Sequence, residues 1–239
     1  MMKLTKTKGR LASLPSKLMA FWKDADILTK ICGIQSAEAA KVAIDAGASL
    51  IGIICVPNRK RTVCPVVAKE ISRVVREARQ GRQDQGKSGP FLVGVFRNQS
   101  ISEVRSLKDD YGLDIVQLHG NENWKEYKRE LEGTPLIKRF IFPNDCADVL
   151  EQSESSGMEC LPLFDSEAGG TGEKLDWDAI GSWSKSSGAR FILAGGLGPE
   201  NVRKACELPG VMGVDVSGGV ETQGNKDADK IRTFLAEAR

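Results

Sequence analysis

The sequence predicts an α/β protein, a single-domain (β/α)8 (TIM) barrel, and three observations carry that prediction. Eight short runs rich in Ile, Val, Leu and Phe recur along the chain, as strands covered on both faces should read. Amphipathic stretches separate them, at the roughly 20- to 40-residue strand-to-strand spacing that βαβ units require. Glycine-rich turns follow the sixth, seventh and eighth runs, whereas a doubly wound open sheet has fewer strands and its glycine loop after the first. A length of 239 residues is ordinary for one barrel.

The predicted strands are Ile27–Cys32, Leu50–Val56, Phe91–Phe96, Ile115–Leu118, Leu136–Phe140, Cys160–Asp165, Phe191–Ala194 and Gly213–Val216. Helix signals lie between them. Ser36 is placed to cap Ala37–Ala46, which Gly47 ends. Ser100 and Glu103 form a capping box ahead of Val104–Tyr111, closed by Gly112. Pro65 and Pro199 stand where first-turn prolines belong, before Val66–Arg79 and Glu200–Glu207. A last helix is expected from about Asp227 to Ala238. The polar segment Gly81–Pro90 reads as a linker on the face of the barrel away from chemistry.

Composition excludes several function classes. With 34 basic against 32 acidic residues the net charge is +2, too small a field to gather nucleic acid or anionic lipid. No stretch approaches the roughly 20 apolar residues of a membrane span. One histidine and six cysteines without a C-x-x-C pair give no zinc pattern, and reduced thiols in the cytoplasm are expected. Neither a metal nor a cofactor is called for. Residues 1–26 read as an N-terminal basic extension ahead of a catalytic barrel at 27–239. Its acid-free first 23 residues fit a solvated tail or an added helix such as Leu11–Trp22 better than a targeting segment. Barrels of this size occur as monomers and as dimers, and a monomer is the working expectation.

In a barrel the chemistry sits at the carboxyl ends of the strands, so the polar residues that end each apolar run are the candidates. Gly195-Gly196 after the seventh run and Ser217-Gly218-Gly219 after the eighth could converge backbone N–H groups on a phosphate, more than tight turns alone would need. Asp165 reads equally as a general acid or as a loop-capping turn residue. The glycine-rich segment Ser166–Gly172 beside it could close over a substrate. Cys32 reads first as a small buried hydrophobe, and as a base or nucleophile only if its pKa is lowered. Asn58-Arg59-Lys60-Arg61 is a solvated charge run or, at a barrel mouth, a carboxylate clamp. His119, with no obvious orienting carboxylate, fits a supporting contact better than catalysis.

Taken together these segments resemble a known family, phosphoribosylanthranilate isomerase of tryptophan biosynthesis. The resemblance rests on Lys30-Ile31-Cys32-Gly33, Pro57-Asn58-Arg59-Lys60-Arg61, Val116-Gln117-Leu118-His119-Gly120 and Phe164-Asp165-Ser166 with Gly169-Gly170-Thr171-Gly172. Leu193–Leu197 and Val214–Val220 complete it, in the family's order from about residue 27 to the end. The resemblance implies an Amadori rearrangement of N-(5-phosphoribosyl)anthranilate to 1-(2-carboxyphenylamino)-1-deoxyribulose 5-phosphate, without cofactor or metal. It further implies Asp165 as general acid, Cys32 as general base, and Arg61 on the anthranilate carboxylate. His119 would be a further substrate contact, and Gly195, Gly196, Ser217, Gly218 and Gly219 would hold the phosphate. The small-molecule phosphosugar is the only partner implied. Arg59 departs from the family pattern, which often has Ser there, and makes Arg59 and Lys60 alternative clamps.

Three rivals are distinguishable. Indole-glycerol-phosphate synthase would need a catalytic lysine, and Lys30 shares a strand face with Cys32. A ribulose-phosphate epimerase would need histidine metal ligands that a single histidine does not supply. A non-catalytic phosphate binder would keep the glycine turns without needing Cys32, Asp165 or Arg61.

Overall fold

The computed structural model describes residues 27–83, 88–154, 160–165 and 175–239. The basic extension at 1–26, with its expected helix, and the glycine-rich segment from Ser166 to Gly172 lie outside the described residues. Eight parallel strands close in sequence order into a barrel. They are β1 (Leu28–Ile31), β2 (Leu50–Ile54), β3 (Phe91–Phe96), β4 (Ile115–Leu118), β5 (Leu136–Phe140), β6 (Cys160–Phe164), β7 (Phe191–Leu193) and β8 (Val211–Val216). The helices between and after them are α1 (Ala37–Asp45), α2 (Pro65–Gln83), α3 (Ile101–Tyr111), α4 (Trp124–Glu130), α5 (Cys146–Glu154), α6 (Trp177–Ser187), α7 (Val202–Cys206) and α8 (Ala228–Glu237). A short hairpin, β9 (Glu221–Thr222) with β10 (Asn225–Lys226), follows β8 on the rim.

Strand alternation sorts the core into two compartments. Leu28, Leu50, Phe91, Val93, Ile115 and Leu161 point inward and plug the lower barrel. Their sequence neighbours, such as Ile51, Leu92 and Val116, point outward into the layer shared with the helices. β1 and β8 close the ring in a register that sets Lys30 opposite Asp215. Near the carboxyl ends polar residues such as Lys30, Gln117 and Asp215 are buried among the apolar ones, so the plug is apolar below and carries reactive groups above.

Several local expectations hold because the capping chemistry is local. Ser36 Oγ accepts the Ala39 N–H, and Ser100 with Glu103 forms the full capping box. Gly112 ends α3 in the left-handed conformation at φ 64°. Several boundaries differ by a few residues, and the contacts explain two of them. α7 begins at Val202, not Glu200, because Asn201 Oδ1 accepts the Gly198 N–H at 2.9 Å and holds 199–201 as a turn. α2 runs on through Gly81 to Gln83, taking the first part of the expected linker, and Arg82 anchors its end on the Ile44 carbonyl at 2.7 Å. No helix among the described residues is long and apolar enough to cross a membrane.

Candidate active site

A cleft of 740 Å³ opens at the carboxyl ends of the strands. Cys32, Arg61, His119, Asp165, Gly195, Gly196, Ser217, Gly218 and Gly219 all line it. Residues from β1, β2, β4, β6, β7 and β8, far apart in sequence, are brought to one cavity by barrel closure alone.

Cys32 follows β1 with its N–H on the Val216 carbonyl at 2.8 Å, which fixes the thiol beside the β1–β8 seam. Two residues earlier, Lys30 is 1 % exposed and pairs with Asp215 at 2.8 Å. Burial pulls the Lys30 ammonium down, but the charges of Asp215 and Cys32 and their hydrogen bonds outweigh it, so its pKa lies above the ordinary value. The Cys32 thiol moves up as well. Burial pushes it up, and Lys30 on one side and Asp215 on the other act against each other. The lowered thiol that sequence reasoning asked of a reactive cysteine is therefore not what the site builds. It builds a buried thiol of high basicity next to a fixed cation.

Gly52 on β2 makes that packing possible. A Cβ there would stand 2.9 Å from Cys32 Sγ and 3.1 Å from Lys30 Cε. Gly52→Ala is expected to cost about 1–3 kcal/mol of stability, as overpacking does, and to displace the thiol. Urea unfolding of the variant checks it, and an unchanged midpoint would show that the seam yields.

Asp165 follows β6, and its backbone is set by packing on both sides. Phe164 sits among Phe191, Trp183 and Phe142 at ring-centre distances of 5.0, 5.7 and 5.8 Å. The Asp165 N–H meets the Phe140 carbonyl at 3.3 Å. Its carboxylate lies 3.1 Å from His119 Nε2. The orienting carboxylate that the sequence did not reveal for His119 is thus Asp165 itself. The pair can hold the proton on either partner, since one imidazole tautomer donates to the carboxylate and the other accepts from the acid.

His119 and Arg97 are held by a buried strut. Glu122 accepts the N–H groups of Asn98 at 2.6 Å and Gly120 at 2.8 Å, while Lys138 donates to the Gly120 carbonyl at 2.5 Å. Those contacts lock the residues immediately after Arg97 and His119, so both side chains leave the rim from fixed backbone.

Arg61 leaves the β2 loop and crosses toward β8. Its Nε and Nη2 donate to Glu221 at 2.6 and 3.0 Å, a bidentate pair that raises its already high pKa. Burial pushes the Glu221 carboxyl up, but Arg61 and Lys226 outweigh it and leave it below its usual range. Lys226 donates both to Glu221 and to the Ser217 carbonyl, each at 2.9 Å. The β9–β10 hairpin therefore ties Arg61 to the turn after β8. Arg61 lines the cleft as well.

The two glycine turns interlock. Gly195 and Gly196 have φ of 81° and 64°, where a side chain would be strained. A Cβ on Gly219 would fall 1.9 Å from the Leu197 carbonyl oxygen. Among the described residues, the N–H groups of Gly195, Gly196, Gly218 and Gly219 have no acceptor. They form an anion cradle. Two buried acceptors, Gln117 Oε1 and Asp215 Oδ1, are also without a partner, and both residues line the cleft. A hydroxylated ligand would satisfy them.

Asp215 and Glu221 were not singled out from the sequence, whereas Arg97 and Gln117 stand among its strand-end candidates without a role assigned to either. Asp215 and Gln117 stand inside motif segments, and Arg97 directly follows the predicted strand Phe91–Phe96, so position was their only signal. Lys30, the lysine that a synthase would use, is committed to Asp215. Among the described residues no group of three or more His, Cys, Asp or Glu is placed to hold a metal ion.

Comparison with known proteins gives this geometry its context. Residues 29–237 match the family model for N-(5'-phosphoribosyl)anthranilate (PRA) isomerase. The N-(5'-phosphoribosyl)anthranilate isomerase of Zygosaccharomyces bailii is 56% identical over 211 residues, 87% of this chain and 96% of that protein. The enzyme of the same name from Saccharomyces cerevisiae is 52% identical over 216 residues, 89% of this chain and 94% of that protein. The crystal structure of phosphoribosyl anthranilate isomerase from Thermotoga maritima superposes with a TM-score of 0.73 at 31% identity, covering 89% of this chain and 98% of that one. A phosphoribosyl anthranilate isomerase crystallised with reduced 1-(o-carboxyphenylamino)-1-deoxyribulose 5-phosphate superposes with a TM-score of 0.71 at 31% identity, over 89% and 98%. With a barrel that closes in the expected order, a cleft that gathers the motif residues, and a match along nearly all of the described chain, this protein belongs to the phosphoribosylanthranilate isomerase family.

Proposed function

We propose that the chain converts N-(5-phosphoribosyl)anthranilate to 1-(2-carboxyphenylamino)-1-deoxyribulose 5-phosphate, the isomerase step of tryptophan biosynthesis. The observation that carries this reading is that Cys32, Asp165 and the glycine cradle share one cleft. Asp165 gives its proton to the furanose ring oxygen, the ring C–O bond breaks, and the anilino nitrogen lone pair forms the iminium ion. Cys32 as thiolate takes the proton from C2, which the adjacent iminium makes acidic without a metal electron sink. The electron pair left on C2 gives the enolamine, which tautomerises to the ketone. His119, hydrogen-bonded to Asp165, fixes the acid and takes up the change in its charge. The N–H groups of Gly195, Gly196, Gly218 and Gly219, with Ser217, hold the 5-phosphate, and that binding energy positions the reacting sugar.

Arg61 meets the anthranilate carboxylate through the guanidinium edge that Glu221 leaves open. Glu221→Gln is expected to raise KM about 5- to 50-fold with little change in kcat, because the fork loses its charged anchor. Steady-state kinetics decides this: a fall in kcat at constant KM would take the hairpin out of substrate binding.

We infer a monomer in the cytoplasm, with no nucleic acid or membrane partner. Val66 is the one large hydrophobic side chain strongly exposed among the described residues, which supports the monomer reading. The test of the reaction is turnover with substrate generated in place, read as loss of its anthranilate fluorescence without added metal and with chelator present. A folded protein that binds the reduced product but does not turn over would be a binder only. One that does neither would overturn the substrate.

A further inference from the structure

Four cationic side chains line the cleft, Arg59, Lys60, Arg61 and Arg97, and their situations differ. Arg61 is held by Glu221. Arg59 and Lys60 are exposed on the rim. Arg97, at the end of β3, is half-buried, and its backbone is fixed by the Glu122 strut and by the Gln99 side chain, which accepts its N–H at 3.1 Å. Among the described residues its guanidinium has no hydrogen-bond or ion-pair partner. A second guanidinium, Arg139 on β5, is 5 % exposed, and its pKa is pulled down first by burial and then by the charge of Arg97. Arg139 is not part of the cleft lining and has carboxylates near it, whereas Arg97 lines the cleft as a half-buried cation. Such a cation is completed by an anion brought in with the ligand.

Position says which anion. The glycine cradle stands on β7 and β8, and in the closed ring β3 lies four strands from β7 and three from β8. A phosphate in the cradle leaves the β3 wall facing the other end of the substrate. Cys32 after β1 and Asp165 after β6 flank the sugar between the two ends. The group at that far end is the anthranilate ring with its carboxylate.

Resting on the isomerase reading, we propose that Arg97 is a specificity-determining residue that pairs with the anthranilate carboxylate, as a second cation beside Arg61. It distinguishes a substrate built on an aromatic acid from one built on a plain aromatic amine.

The test compares two ligands, the reduced product and the same compound made from aniline, which lacks the carboxylate. Both are titrated by calorimetry into wild type, Arg97→Gln and Arg97→Lys. Arg97→Gln should weaken the reduced product about 10- to 100-fold, the range for a hydrogen bond between charged groups, and leave the aniline compound unchanged. Arg97→Lys should recover part of the loss, since it restores charge but not the fork. In turnover the Gln variant should show a raised KM with kcat largely kept. Equal weakening of both ligands would make Arg97 a structural or phosphate-end residue and overturn the proposal. So would no weakening of either. If wild type itself fails to bind the reduced product, the isomerase reading fails instead, and that outcome is distinct from the other two.

Discussion

Asp165→Asn is expected to lower kcat by about 10²- to 10⁴-fold, the range for losing a positioned general acid, while KM and the unfolding midpoint stay close to wild type. The substitution keeps the volume, so it opens no cavity next to Phe164 and Phe191. The amide can still hydrogen-bond His119 Nε2, in whichever orientation the imidazole tautomer requires. The hydrogen bond from the Asp165 backbone N–H to the Phe140 carbonyl does not involve the side chain. What the amide lacks is an ionisable proton, so the ring oxygen must leave without protonation. A loss confined to kcat, with the reduced product still bound at wild-type affinity, assigns the residue to the transition state. A rise in KM at constant kcat would instead make Asp165 a binding residue, and full activity would move the acid to His119.

How much of this was legible in sequence depends on the range of the interaction. The capping box at Ser100 and the αL glycine at Gly112 are decided within a few residues, and both stand where the sequence places them. The strand runs were legible because burial on both faces leaves a near-continuous apolar signature. Barrel logic then put Cys32, His119 and Asp165 at strand ends, which is why they meet in the cleft. What could not be read is pairing set by closure. Lys30 and Asp215 are 185 residues apart, and Arg61 and Glu221 are 160 apart. Each joins the early strands to β8 or its rim, and no local pattern couples them. The same blindness hid the partner of His119, since Asp165 is 46 residues away across the mouth. Arg97 was visible as a strand-end residue, but only the structure shows that its guanidinium is left without a partner.

The Cys32 thiol is the second place where a large effect is expected. Cys32→Ser should cut kcat/KM by about 10²- to 10⁴-fold, because the hydroxyl is far harder to ionise than the thiol and a positioned base is lost. The pH dependence carries the sharper signature. A base works in its deprotonated form, so activity must rise with pH up to the folded thiol's pKa and level off above it. Burial pushes that pKa above the ordinary thiol value of about 8.5, so the alkaline inflection of kcat/KM should lie above it. At neutral pH only a minor fraction of the free enzyme then carries thiolate, held beside the Lys30 ammonium, and the small population is offset by the greater basicity of each thiolate present. Burial alone does not make a cysteine catalytic: Cys55 and Cys160 are pushed up to about 12, yet neither lines the cleft. The Cys32→Ser profile should lose that alkaline rise. A rise that survives the substitution would assign the base to another group, with Lys226, whose pKa burial pulls down, next to be tested.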